Sequence, residues 1–154
     1  MATQVRYKEF RFPVDVAWDE GRRTTAKVSG KHHLRIATPP VFRGSDPELW
    51  SPEDTFVAAA ASCLAVTIYA LAERDELPLR ALSISAEGVV GRRPDGRQGF
   101  LRIDQRVQVQ TDPGHEDAVR TLVARAEDGC LVTASLDLPV QTETLVSSTA
   151  PGVA

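Results

Sequence analysis

The feature that most constrains the fold is one long apolar segment, residues 50–73, which reads WSPEDTFVAAAASCLAVTIYALAE. Ser51 is a good N-cap, Pro52 suits the first helical position, and Asp54 follows the cap by three residues. Beyond this start nearly every residue is small or apolar and no face is clearly polar, which predicts a helix enclosed on most sides. Cys63 lies near the middle of this helix.

The rest of the chain alternates between strand and helix patterns. Period-two alternation of apolar residues predicts three strands before the long helix, two after it and one at the end. A second helix over residues 112–129 is indicated by apolar residues three and four apart, and Gly129 is placed to end it. The predicted strands cover residues 10–18, 22–28, 31–37, 82–90, 101–109 and 136–142.

This β-β-β-α-β-β-α-β order predicts an α+β fold, with a long central helix and a second helix against antiparallel sheets. We expect one domain over residues 1–146 and a flexible tail over residues 147–154. A small sheet covers only one side of a helix that is apolar all round. A second copy of the chain is the simplest cover, and we therefore expect an intertwined or face-packed homodimer.

Composition narrows the classes of function. The net charge is −3 and the basic residues are scattered, so we expect no nucleic-acid partner. We see no apolar run of about 18 residues and no hydrophobic core of a secretory signal, and we therefore expect no membrane association and a cytoplasmic location. The two cysteines do not make a disulfide scaffold, and in a reducing compartment they are more often buried thiols, ligands or redox groups.

Two segments around the cysteines carry a family resemblance. SPED is followed by an alanine-rich run and then by SC, ten residues after the glutamate. In the second half, ARAEDGC ends a helix in a cysteine and LDLPV leads into the last strand. With this order of elements, the chain resembles the OsmC/Ohr family of thiol-dependent peroxidases over about residues 5–145.

The resemblance implies a role for five residues. Cys63 would be the peroxidatic cysteine and Cys130 the resolving cysteine, while Glu53 matches the family's glutamate. The family's arginine falls on Arg23 or Arg22, and the spacing back from the second strand favours Arg23. The reductant that the resemblance implies is a dithiol, lipoyl-type or a small thiol.

Elementary chemistry is consistent with this set of residues. Attack on a peroxide requires a thiolate, and an unperturbed thiol with a pKa of about 8.5 is mostly protonated at neutral pH. A guanidinium can hold both thiolate and peroxide, and a carboxylate can orient it.

Glu53 and Cys63 are separated by about 15 Å of helical rise. Either Arg23 bridges them, or the arginine and glutamate of one chain serve the cysteine of the other. The resemblance favours the second arrangement, because the family's active sites lie at the dimer interface.

The sequence thus predicts a cysteine-based reductase of organic hydroperoxides that uses no cofactor. The alternative is a non-catalytic dimer of the same fold that binds a small apolar ligand or senses thiol redox state. A zinc site made by Cys63, Cys130 and one histidine is disfavoured, because no close-spaced ligand pair exists. His32 and His33 are neighbours on a predicted strand, so they point to opposite faces.

Overall fold

The computed structural model describes residues 8–148, which form two compact units that divide after Pro52. The first unit holds a three-stranded antiparallel sheet in the order β1-β2-β3. Its strands are β1 (Asp15–Trp18), β2 (Arg23–Lys27) and β3 (Leu34–Ala37). All three predicted strands are present but shorter than predicted, and residues 10–14 lie outside any strand.

The loop after β3 is held by main-chain contacts. Residues Pro40–Phe42 form a 3₁₀ helix, and the Ala37 N–H donates to the Trp50 carbonyl at 2.9 Å. Gly44 packs against the backbone of Thr38 so closely that a Cβ atom would collide with the Thr38 carbonyl. The loop therefore has a defined path that depends on a glycine at this position.

The second unit holds α1 (Pro52–Arg74), β4 (Leu79–Arg92), β5 (Gln98–Thr111), α2 (Glu116–Gly129), α3 (Leu131–Ala134) and β6 (Val140–Ser148). Strands β4 and β5 form the predicted hairpin, with Gly96 at φ +83° in its turn. The last strand differs from expectation: β6 pairs in parallel with β5, whereas we expected an antiparallel sheet. The helices α2 and α3 return the chain to the starting end of β5, as a parallel pair requires.

The ends of this unit also differ in detail from the prediction. The segment after Cys130 forms α3 rather than only a turn, and β6 begins at Val140, four residues later than predicted. Strand β6 runs to Ser148, two residues into the predicted tail. Residues 149–154, the remainder of that tail, lie outside the described residues, as do residues 1–7.

Helix α1 buries one stripe, not its whole surface. Its fully buried residues are every fourth one: Ala60, Leu64, Ile68 and Ala72. They lie side by side because residues four apart share a helix face. The prediction that the helix is enclosed on most sides is wrong for a single chain. Apolar side chains on other faces, such as Val66 and Tyr69, are exposed.

The core of the second unit lies between α1, α2 and β5. Leu64 and Ile68 of α1 join a cluster with Cys130 and with buried aliphatic residues of the other two elements. These partners are Val107, Val109, Val119, Leu122, Val123 and Ala126. The cluster positions both cysteines, because Cys63 packs against it from α1.

The expectation that no segment is long enough to span a membrane needs correction. Within the described residues, α1 is long and apolar enough to cross a membrane, judged by length and composition alone. The core helix of a soluble protein meets the same criterion, and the buried stripe of α1 belongs to the core cluster.

Candidate active site

The fold brings the two cysteines together. Cys63 lies in the middle of α1 and is half-buried, whereas Cys130 is completely buried directly after α2. Both are free thiols, and the Cys63 side chain lies close enough to Cys130 to lower the pKa of its thiol. Residues far apart in the sequence therefore form one thiol pair at the edge of the core cluster.

The surroundings of Cys130 favour its thiolate. Burial raises the pKa of this thiol, but hydrogen bonds act in the opposite direction and together hold the pKa below its ordinary value. In order of effect they come from the side chain and backbone of Thr133, the thiol of Cys63 and the backbone of Val132. Cys130 is therefore a buried thiol with built-in anion stabilisation.

The end of α2 explains how Cys130 reaches this position. Cys130 leaves the helix with an extended backbone, and its N–H donates to the Glu127 carbonyl at 3.3 Å. Its own carbonyl accepts from the Ala134 N–H at 3.0 Å, which starts α3. The hydroxyl of Thr133 also lies 3.3 Å from that carbonyl. A hydroxyl has one proton, so Thr133 donates at any moment either to the Cys130 carbonyl or to its sulfur.

Arg23 is held by two carboxylates of the first unit. Its Nη1 donates to Glu20 Oε1 and its Nη2 to Asp46 Oδ1, both at 2.7 Å. The hydrogen bond from Arg23 holds the pKa of the Asp46 carboxyl below its usual range, and Asp46 in turn raises the pKa of Arg23. The Arg23 Nε atom is buried and has no hydrogen-bond partner within residues 8–148.

Arg22 has a different local role. Its Nη1 donates to the Phe42 carbonyl at 2.7 Å and lies 3.4 Å from the Arg43 carbonyl. These bonds link the start of β2 to the 3₁₀ segment of the following loop. Of the two candidate arginines, Arg22 thus supports the loop backbone. Arg23 instead has two ion-pair partners, and its Nε–H has no acceptor within the described residues.

Glu53 is the second residue of α1 and is half-buried. A carboxylate is favourable there because the helix dipole is positive at the N-terminus. Its Oε2 atom is nevertheless buried without a hydrogen-bond partner in the described part of the chain. A buried carboxylate oxygen without a hydrogen bond lowers the stability of the fold. Glu53 is therefore suited to accept a hydrogen bond from a further donor.

Three residues near these groups were not predicted from the sequence. Asp46 gave no signal, because one aspartate in a loop is ordinary. Thr133 gave a weak signal, since a threonine three residues after a cysteine is common. Gln105 carries a usable signal: it interrupts the inward-facing apolar positions of β5, where its neighbours Ile103 and Val107 are fully buried.

The described residues contain no group of three or more His, Cys, Asp or Glu side chains placed to hold a metal ion. The two side chains that the fold brings together are both thiols, so the arrangement can perform thiol chemistry. One thiol is partly accessible, and the other is buried beside it with its thiolate stabilised.

Comparison with solved structures shows the same fold in several bacterial proteins. An OsmC-like protein of unknown function from Vibrio cholerae superposes with a TM-score of 0.81 at 18% identity, over 89% of this chain and 100% of that one. An organic hydroperoxide resistance protein from Elizabethkingia anophelis gives 0.73 at 14% identity, over 94% and 100%. A protein from Legionella pneumophila, described as an organic hydroperoxide resistance protein OsmC, gives 0.69 at 20% identity, over 92% and 99%.

A search of the curated proteins found no match. The family described as OsmC-like protein matches residues 44–144, well over half of the chain. This range includes Glu53 and both cysteines with their sequence contexts. The fold, the paired cysteines and this match agree, and the chain belongs to the OsmC-like protein family.

Proposed function

We propose that this protein is a thiol-dependent peroxidase that reduces organic hydroperoxides, with Cys63 as the peroxidatic and Cys130 as the resolving cysteine. The observation that carries the proposal is that the only two cysteines of the chain lie close together, Cys130 within the core cluster and Cys63 packed against it. Structural neighbours described as organic hydroperoxide resistance proteins support the substrate class. Both thiols are free, which is the state needed to begin turnover.

The accessibility of the two thiols supports this assignment of roles. Cys63 is half-buried and reachable by a peroxide, whereas Cys130 is fully enclosed. A resolving cysteine attacks the sulfenic acid sulfur as a thiolate and needs no access to peroxide. The lowered pKa of Cys130 suits that second step.

The proposed peroxidase reaction has three steps. The Cys63 thiolate attacks the outer peroxide oxygen, the O–O bond breaks, and the alkoxide takes a proton and leaves as an alcohol while Cys63 becomes a sulfenic acid. The Cys130 thiolate attacks the Cys63 sulfur, forms a disulfide and releases hydroxide, which becomes water. An external dithiol reduces this disulfide by exchange and is itself oxidised to a disulfide.

Arg23 and Glu53 complete the proposed site. Arg23 supplies the guanidinium that stabilises the Cys63 thiolate and the bound peroxide, and Glu53 supplies the carboxylate that orients an arginine. Within residues 8–148 the buried Nε of Arg23 and the buried Oε2 of Glu53 have no hydrogen-bond partner, which supports these roles. Arg22 remains the second candidate arginine, but its bonds to the loop carbonyls favour a structural role.

We further propose that the working form is an intertwined homodimer in the cytoplasm. Val66 and Tyr69 leave apolar surface of α1 exposed in the single chain, and a second copy would cover it. Two cysteines do not make a disulfide scaffold, which fits a reducing compartment. A monomeric mass by light scattering across micromolar concentrations would contradict the dimer.

The peroxidase is tested by counting free thiols before and after one equivalent of tert-butyl hydroperoxide, and again after dihydrolipoamide. We expect both thiols to be lost as an intrachain disulfide and recovered with the dithiol. Cys130→Ser should stop at a Cys63 sulfenic acid, trapped by dimedone, and Cys63→Ser should leave Cys130 reduced. Two thiols that survive excess peroxide would refute the proposal and leave the alternative of a binding protein.

A further inference from the structure

A cavity of about 330 Å³ lies in the second unit, beside the junction of α2 and α3 and against one end of the sheet. Its wall combines a buried amide, two carboxylates, the hydroxyls of Thr133 and Thr142, and several aliphatic groups. The residues that matter here are Gln105, Glu127, Asp128, Leu64, Leu138 and Val140. The volume is at the lower end of the range typical of small-molecule sites.

Gln105 is the unusual residue of this cavity. It occupies an inward-facing position of β5, is only 4% exposed, and its Oε1 has no hydrogen-bond partner within residues 8–148. An unpaired buried amide oxygen destabilises the fold, whereas an aliphatic side chain at this position would leave no polar group unpaired. Rotation about the last side-chain bond exchanges Oε1 and Nε2, so the amide can present an acceptor or a donor to the cavity.

The two carboxylates give the cavity a negative rim. Glu127 is half-buried and Asp128 is exposed, and both lie in the last turn of α2, which contains no basic residue. Acidic groups at this end oppose the helix dipole, so they do not help the fold. Within the described residues neither side chain has an ion pair, and no lysine or arginine lines the cavity.

Aliphatic side chains form a further part of the cavity wall. Leu64 of α1 is fully buried, while Leu138 and Val140 are half-buried. A ligand that matches the carboxylates, the aliphatic side chains and the Gln105 amide has a positive charge, a short aliphatic stem, and an uncharged hydrogen-bonding group at the other end of the stem.

We propose that this cavity binds a small organic cation of the amino alcohol or amino amide class. The ammonium group lies between Glu127 and Asp128, the stem contacts Leu138 and Val140, and the hydroxyl or amide pairs with Gln105. Carboxylate ligands of the same size are excluded by the charge of the rim. The cavity shares Thr133 with the surroundings of Cys130, but the proposed binding involves neither thiol.

Calorimetry on the full-length reduced protein can test the proposal with three matched probes. They are 5-aminopentan-1-ol, 1-aminopentane, which lacks the inner group, and 5-hydroxypentanoate, which reverses the charge. We expect the amino alcohol to bind at least fivefold tighter than the amine, and the carboxylate not to bind. Glu127→Gln and Asp128→Asn should each weaken the amino alcohol several-fold. Asp117→Asn, an equal charge change at an exposed site on α2, should have no effect.

The role of the amide is tested by Gln105→Met, which keeps the side-chain length. In this variant the amino alcohol and the amine should bind equally. Because a core substitution can impair folding, the wild type provides an independent reading: methyl signals of Leu138 and Val140 should shift on titration, and those of exposed Leu145 should not. Equal affinity for the carboxylate, no saturable binding, or shifts that do not involve the cavity would overturn the proposal.

Discussion

The stabilised thiolate of Cys130 leads to a quantitative prediction for Thr133→Val. Valine has nearly the shape of threonine but lacks the hydroxyl that lowers the pKa of the neighbouring thiol. Residue 133 is half-buried, and a methyl group can replace the hydroxyl there without creating a cavity. We therefore expect the substitution to raise the pKa of Cys130 and to change little else.

The magnitude follows from the hydrogen bond that is lost. A hydrogen bond to a charged group contributes about 1.5–3 kcal/mol, and one pKa unit corresponds to about 1.4 kcal/mol. The pKa should therefore rise by roughly one to two units if the hydroxyl donates to the sulfur in the thiolate state. If Thr133 donates only to the Cys130 carbonyl, which lies 3.3 Å away, the pKa should not move.

The assay is a pH titration of thiolate ultraviolet absorbance in a Cys63→Ser background, where Cys130 is the only cysteine left. The matched control is Thr121→Val, which removes a hydroxyl that donates to the Asp117 carbonyl on the exposed face of α2. The control should leave the pKa unchanged. The same pKa with and without the Thr133 hydroxyl would refute the view that this side chain stabilises the thiolate.

Two further predictions concern stability. Ile68→Ala removes a fully buried side chain from the core cluster and should lower the free energy of unfolding by about 2–5 kcal/mol. Ile68→Val removes one methyl group and should lower it by about 0.5–1.5 kcal/mol. Both values are measured by urea denaturation, and equal effects of the two substitutions would contradict the tight packing of Ile68 in the core. Asp112 makes two hydrogen bonds of 2.7 Å with Arg80, which hold its pKa below the usual aspartate value. This stabilisation is present above that usual pKa and is lost as the pH falls through the folded-state pKa. Asp112→Asn should therefore destabilise the protein at pH 7, and the difference from wild type should vanish in acid; a constant difference would exclude the ion pair as its source.

Much of the local structure was predictable from the sequence. The start of α1 follows from a serine and a proline in capping positions, and α2 follows from apolar residues three and four apart. The β4–β5 hairpin follows from an Asp-Gly turn between alternating segments. These patterns act between residues near each other in the chain, so they can be read without knowing the fold.

The candidate site was only partly predictable. The contexts of Cys63 and Cys130 indicated a pair through family resemblance, and the structure brings the two side chains together. The ion pair of Arg23 with Asp46 had no signal in the sequence, because the loop path that places Asp46 is set by the packing of the loop, including the close approach at Gly44.

Residues near in sequence thus determined the helices, most strand positions and the identity of the two thiols. The tertiary structure alone decided that β6 lies parallel to β5 and that α1 buries only one stripe. It also decided that Gln105 lines a cavity with its Oε1 atom buried and, among the described residues, without a hydrogen-bond partner. The physical reason is that helix caps, turns and periodicity depend on neighbours a few residues away. Strand partners, burial and hydrogen-bond satisfaction depend on which distant segments pack together.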